Sequence, residues 1–259
     1  MHAEGAARDL EALIETVPAA FEAMGARPAR IWTSTGVQSR ELRDTVAQLV
    51  RSARADDCVH IEVGSASKMP TALVNLVLRD RTDLEALAGS HRAYAIGEGV
   101  APDAAGPAAF LEAIARAYPV VHGGAMMAPS WYAASAEASL TTVGGGLMDE
   151  ATCKRIGFDA MHMRELHLLR RLYPVTIIGP AIWAKLPPMP EVDPAPAISD
   201  LGACKVLKVW PTLVDPHDPH FLLGTRALRR WLWPFTIQNP ADDPDEIDHR
   251  LRWLDLLPW

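Results

Sequence analysis

Cysteine is scarce in this chain. Cys58, Cys153 and Cys204 stand far apart and form no Cys-x-x-Cys pair, which argues against a zinc knuckle or a disulfide framework. Long apolar runs are missing too: no stretch approaches the ~20 uninterrupted apolar residues of a membrane-spanning helix. The opening MHAEGAARDLEALIE carries acids early and has no apolar core behind a positive start, unlike a secretory signal. There is also no basic excess, because 25 Lys and Arg face 32 Asp and Glu for a net charge of −7. Phosphate contacts need concentrated Lys and Arg, so direct nucleic-acid binding is not expected, whereas a basic protein partner suits such a surface. The expected setting is a reducing cytoplasm.

What is present instead is a segment that occurs twice. FLEAIARAYPVVHGGAMMAPS runs from Phe110 to Ser130, and LHLLRRLYPVTIIGPAIWAKLP from Leu166 to Pro187. In each copy the apolar positions before Tyr-Pro-Val recur at helical spacing, and Pro119 or Pro174 would stop a helix before a β-rich run. Each copy therefore predicts a helix, a sharp stop and a buried strand, the second helix covering Gly157 to Tyr173.

Around these copies the pattern alternates between periods. Ala6 to Met24 places Leu10, Leu13, Ile14, Val17 and Phe21 at helical intervals, and Ser39 to Arg54 reads as a second helix with Ser39 as its N-cap. Short strands are expected at Arg30–Thr33, Cys58–Val63, Thr71–Leu78 and His91–Ile96. Lys205–Trp210 alternates like an edge or half-exposed strand, Phe221–Trp233 holds a short helix, and Pro234–Pro240 leaves it extended. The tail from Asp242 starts acidic and becomes amphipathic, with Ile247, Leu251, Trp253 and Leu254 available to dock. At 259 residues, roughly half apolar, the chain can bury a full core as one α+β domain. The stretch LPPMPEVDPAP, residues 186–196, is the one candidate subdomain boundary, since its prolines favour an extended linker.

No segment spells out a catalytic centre, and no cofactor or metal is called for. Asp215-Pro-His-Asp-Pro-His220 is the densest group of metal-capable side chains, but its two prolines describe an irregular turn better than a zinc site. His162 and His167 lie five apart and cannot form the i, i+4 pair of a metalloprotease helix. His122 beside Gly123 and Gly124 invites a general-base or oxyanion role, yet no Gly-x-Ser-x-Gly elbow accompanies it, and a strand histidine near a turn is the plainer account. The loop Gly64 to Lys68 lacks phosphate-loop spacing, and Gly144 to Gly146 lacks the dinucleotide fingerprint. The acids Asp242, Asp243, Asp245, Glu246 and Asp248 are offset locally only by Arg250 and Arg252. They read as helix N-terminal charge around Pro244, as a lure for a basic protein, or as both.

Three stretches carry a family likeness: AIARAYPVVHGGAMMA, LRRLYPVTIIGPAIWAKLPP and DLGACKVLKVWPTL. Together they resemble bacterial immunity proteins of polymorphic toxin systems, namely the type VI secretion immunity family, a related immunity group paired with restriction-endonuclease-fold toxins, and a myxobacterial family of unknown function. The likeness spans roughly Cys58 to Pro240 and is strongest at Tyr118–Gly123 and Ile178–Trp183; it departs at Gly124-Ala125-Met126-Met127, where such families carry a Gly-aromatic pattern. The resemblance implies a mixed or antiparallel sheet flanked by helices. It also implies stoichiometric inhibition of a cognate toxin, a nuclease being the first candidate, with no catalytic residue of its own. Asp215, Asp218, Asp242, Asp243, Asp245 and Glu246 are the candidate partner-binding residues, chosen for their charge. Two other classes stand beside this one. A small-molecule enzyme would use His122 in a pocket between the two copies, and an accessory protein would capture a peptide along a sheet edge at Lys205–Trp210.

Overall fold

A computed structural model of the chain describes residues 18, 21–22, 30–33, 58–64, 72–79, 92–97, 122–128, 168–236 and 240–258, with the four strands between 30 and 97 described by their backbone. The chain divides into two compact units, Met1–Tyr118 and Pro119–Trp259. The division falls at the first Tyr-Pro-Val, whereas the proline-rich stretch 186–196 lies inside the second unit. The fold is α+β.

In the first unit four strands form an antiparallel meander: β1 (Arg30–Thr33), β2 (Cys58–Gly64), β3 (Ala72–Arg79) and β4 (Arg92–Gly97), hydrogen-bonded in that order. Register runs from Arg30 opposite Gly64, through Cys58 opposite Arg79, to Ala72 opposite Gly97. All four coincide closely with the alternating runs of the sequence. Phe21 is helical and fully buried, in keeping with its place on the expected N-terminal apolar stripe. The rest of that helix, the expected helix at Ser39–Arg54, His162, His167 and the Gly144–Gly146 run lie outside the described residues.

The second unit holds β5 (His122–Ala125), β6 (Val175–Ile178), β7 (Ala197–Leu201) and β8 (Cys204–Lys208) in the order β5-β6-β8-β7, all antiparallel. The two copies of the repeated segment thus contribute adjacent strands, with His122 opposite Ile178 and Ala125 opposite Val175. Every residue of β6 is buried, as expected of a central strand covered on both faces. Buried Thr176 satisfies its hydroxyl locally, accepting from the Tyr173 amide at 2.9 Å and donating to the Tyr173 carbonyl at 3.0 Å. β7 and β8 meet in a two-residue hairpin at Gly202-Ala203, where Gly202 has φ 57°, a conformation that suits glycine at the first turn position.

Two expectations are corrected here. β8 lies between β6 and β7, so Lys205–Lys208 is an interior strand and the sheet edge on that side is β7. Residues 168–173 are not helical: Leu169 bridges to Thr236, and its amide donates to the Phe235 carbonyl at 2.7 Å. The physical reason is that residues 169–179 are all buried, leaving no solvent face for an amphipathic helix. Pro174 also disfavours helical geometry at Tyr173.

The helices described in this unit are α1 (Pro180–Trp183), α2 (Pro219–Gly224), α3 (Arg226–Leu232) and α4 (Pro244–Trp253). Three of them begin with proline at the first helical position, where its missing N–H costs nothing. Asp218 caps α2 by accepting from the amides of His220 and Phe221, and Asp243 caps α4 by accepting from Asp245 and Glu246. The core joins Leu169, Leu172, Ile178, Ile182, Leu207, Leu228 and Leu232. The proline-rich stretch lends Leu186, Met189 and Val192 to it and is tied by Trp231, whose indole N–H donates to the Pro187 carbonyl at 3.0 Å. A smaller cluster of Leu222, Ile247 and Leu251 seats α4. Residues 244, 247, 248 and 251 form the buried side of α4, whereas Trp253, on the other side, and Leu254, the residue that follows the helix, stay exposed at 68% and 50% rather than docking. Pro234 lies in a 3-10 turn, Trp233–Phe235, not in extended chain.

Gly224 closes α2 against the indole of Trp210, which also meets Phe221 edge-on at 5.5 Å. A Cβ at Gly224 would lie 2.6 Å from Trp210 Cζ3. Gly224→Ala gains at most about 1 kcal/mol of helix propensity, while displacing a packed indole costs about 1–3 kcal/mol. The variant is therefore expected to be net destabilised. A urea titration should show a lower midpoint at unchanged slope, and an equal or higher midpoint would contradict it.

Candidate functional site

The second unit concentrates its charged side chains in two linked groups built by α3, α4 and the turn before α2. The inner group is buried. Arg171 leaves the chain just before β6, Arg229 comes from the buried side of α3, and Asp242 ends a 3-10 turn, Pro240–Asp242. Their side chains are 3%, 4% and 5% exposed, with Arg171 3.1 Å and Arg229 4.0 Å from the Asp242 carboxylate. Arg229 also donates to Thr225 Oγ1 at 3.1 Å and to the Pro216 carbonyl at 2.7 Å, and its guanidinium lies 5.1 Å over the Phe221 ring. Burial lowers its pKa to about 10, against the pull of Asp242, so it remains cationic at neutral pH.

The turn Asp215–Asp218 closes this group. Asp215 accepts from the His217 amide at 2.8 Å, and the His217 Nε2 lies 2.5 Å from an Arg171 Nη1. A guanidinium can only donate, so His217 accepts and is the neutral tautomer with its proton on Nδ1. Burial, then the neighbouring Arg171, holds the imidazole below its ordinary pKa. Asp215 and Asp218 spend acceptors on backbone amides of their own turn and cap, which is what the paired prolines foreshadow. Among the described residues no three His, Cys, Asp or Glu side chains group to hold a metal.

The outer group sits between α3 and α4. Asp248, buried to 3%, accepts from Arg226 at 2.7 and 2.5 Å and from Arg230 at 2.6 Å. The Arg226 hydrogen bond, chief among its surroundings, holds the Asp248 carboxyl below the usual carboxylate value. Arg230 also reaches Asp245 at 2.7 Å. Asp245 and Glu246 are exposed in the first turn of α4, where they complement the helix dipole.

The six acidic positions singled out from the sequence therefore separate. Asp243, Asp245 and Glu246 come together at the start of α4, with Asp245 and Glu246 facing solvent. Asp242 is buried on Arg171 and offers no surface charge. Asp215 and Asp218 stay half-buried in their own turn. The counter-charges are Arg226 and Arg230 from α3, which sequence reading missed, while Arg252 instead donates to the Pro258 carbonyl at 3.1 Å. The available signal was the spacing of Arg226, Arg229 and Arg230 on one short helix, but nothing local couples it to residues 242–248.

No family model, curated protein or solved structure matches this chain. The remaining sequence candidates are placed by geometry alone. His122 is half-buried in β5 opposite Ile178, and the Gly124 beside it is covered by the Tyr173 ring rather than open to a ligand. Trp183 of the Ile-Gly-x-x-x-Trp arrangement meets Trp231 edge-on at 6.4 Å, with the Lys205 ammonium 5.7 Å from its ring centre. Lys205 also pairs with Asp200 on the neighbouring strand β7. None of the described helices is long and apolar enough to cross a membrane.

Proposed function

We propose that this protein is an immunity protein that binds and neutralises a cognate toxin bearing a basic surface, a nuclease being the first candidate. The observation that carries the reading is the pre-set acidic rim at the start of α4. Asp243 caps the helix, and Asp245 and Glu246 project from its first turn. Asp248 then pins the helix to α3 through Arg226 and Arg230. Carboxylates held on a docked helix give up little entropy on binding and steer a cationic partner. The net charge of −7 and the family resemblance support the same reading. No residue of the chain is assigned a catalytic role in it.

The test is co-purification from the native host with neighbouring-gene products present. A toxin recovered at near one-to-one ratio is expected. Glu246→Lys should slow association with that toxin by roughly tenfold at low salt and much less at high salt, because rim charges act on the encounter rate. Recovery of no partner together with turnover of a small molecule would reject the proposal. Partner capture with unchanged association in Glu246→Lys would reject only the role of the α4 rim.

A further inference from the structure

We propose that the contact between His217 and Arg171 is an acid-released clasp, which holds the turn Asp215–Asp218 closed at neutral pH and frees it when the imidazole takes up a proton. The inference is independent of the partner proposed above. It begins from a restriction on hydrogen-bond roles: the 2.5 Å contact needs a lone pair on His217 Nε2, because arginine has none to offer. A protonated ring has no such lone pair. It would set N–H against N–H, and one positive charge against another.

Two guanidiniums facing the ring oppose that uptake and two carboxylates favour it, and burial together with Arg171 outweighs the carboxylates. Arg171 reaches it from the segment before β6, Arg229 from α3, Asp242 from the 3-10 turn and Asp215 from the turn itself. With His217 neutral, Asp242 already answers two buried guanidiniums. With His217 charged, three cations would surround it, and the Asp215 carboxylate that also faces the ring is occupied by the His217 amide. Burial and Arg171 both favour the neutral imidazole, in the same direction as the geometry.

Release has a short path. His217 is only half-buried, so a small outward swing of the turn returns the charged ring to water. Two side chains hold the turn from inside: Arg171 on the His217 ring and Arg229 on the Pro216 carbonyl at 2.7 Å. Losing the first leaves the second, together with the Asp218 to Asp215 backbone bond at 2.9 Å. Protonation therefore removes one of these holds and loosens the turn, while the sheet and the apolar core stay closed.

The pH window follows from proton counting. The closed turn binds fewer protons than the open one, in which the ring returns toward its ordinary 6.5. Closure is fully favoured above pH 6.5 and weakens as the pH falls toward the lowered value of the closed state, by up to roughly tenfold in the opening equilibrium per pH unit. Carboxylate protonation acts at lower pH, so the two effects are separable.

The experiment is NMR on the full chain from pH 8 to pH 4.5, following the imidazole nitrogens of His217 and the exchange protection of the turn amides. His217 should take up its proton at lower pH than an ordinary imidazole, and its neutral ring should carry the proton on Nδ1. The amides of His217 and Asp218, corrected for intrinsic exchange, should lose protection by about tenfold per pH unit below 6.5, while the amides of β6 and β8 hold theirs. His217→Gln keeps an acceptor for Arg171 without a titrating proton, and should abolish that pH dependence. The inference is overturned if His217 in the wild type titrates at 6.5, if its Nε2 carries the proton at neutral pH, or if turn and sheet amides lose protection together. A folded His217→Gln that keeps the acid response of the turn would overturn it as well; should that variant not fold, the wild-type measurements decide alone.

Discussion

Asp242→Ala is expected to destabilise the second unit by about 3–5 kcal/mol, the usual cost of removing one partner from a buried ion pair. Asp242 is the carboxylate between Arg171 and Arg229, and all three side chains are at most 5% exposed. Arg229 does not escape by shedding its proton at neutral pH, since even burial leaves it at about 10. The variant therefore removes the carboxylate that these two buried cations share. Asp242→Asn preserves the shape and removes only the charge, so it should retain most of the loss. Asp245→Ala serves as the contrast: its partner Arg230 is 43% exposed and Asp245 itself 84%, and screened surface pairs contribute less than about 1 kcal/mol. Urea unfolding followed by tryptophan fluorescence measures all three. A loss for Asp242→Ala no greater than that for Asp245→Ala would show that the inner group does not hold the unit together.

The second large effect is steric. Gly124 of β5 lies under the ring of Tyr173, and a Cβ there would sit 2.0 Å from Cδ2, 2.4 Å from Cγ and 2.6 Å from Cε2. Rotating the ring cannot relieve a clash with Cγ, which lies on the rotation axis, so the strand or the Tyr173 backbone has to move. Tyr173 is itself 6% exposed and leads directly into the buried strand β6. Gly124→Ala should therefore cost about 3 kcal/mol, the upper part of the range for overpacked cores. Emptying the space first should remove the penalty. In a Tyr173→Ala background the added methyl should cost little, giving a coupling of about 1–3 kcal/mol in the double-mutant cycle. Additive losses in that cycle would mean that the ring and the glycine do not meet.

That contact also explains what the repeated segment is for. A strand from each copy lies side by side in one sheet, and the tyrosine of the second Tyr-Pro-Val packs on the glycine that follows the first. The glycines beside His122 invited a role in chemistry, with a strand histidine near a turn as the plainer account. Gly124 lacks a side chain where the Tyr173 ring occupies the space that one would fill.

Much of the architecture is legible from residue order. The four strands of the first unit follow from short runs of β-branched and alternating residues bounded by turn chemistry. The helix start around Pro244 follows from acids grouped at a proline, and the structure adds Asp243 there and Asp218 before α2 as caps. These are local effects, decided within one turn or one strand by backbone geometry, so they survive in the sequence. The helix expected through Tyr173 did not survive, because its polar-looking face is Arg170 and Arg171. Both are buried, and Arg171 is charge-compensated by Asp242, some seventy positions away. A pattern read along the chain takes an arginine for a solvent-facing residue; only a distant carboxylate folded against it makes the interior possible.

The candidate site divides along the same line. The excess of acids is plain in the sequence, and so is their grouping around Pro244. Which of them remain as surface charge was decided by the packing of α3 against α4, which matched Asp248 and Asp245 with Arg226 and Arg230 and left Glu246 facing water. His217 read as part of an irregular, proline-bounded turn. Its neutral state came from Arg171, brought to it by the fold. Sequence by itself determined the strands of the first unit and the sign of the charge, because those depend on near neighbours and composition; tertiary structure alone decided where the helix expected through Tyr173 gave way and which charges are buried and paired, because desolvation is set by whatever lies across the core.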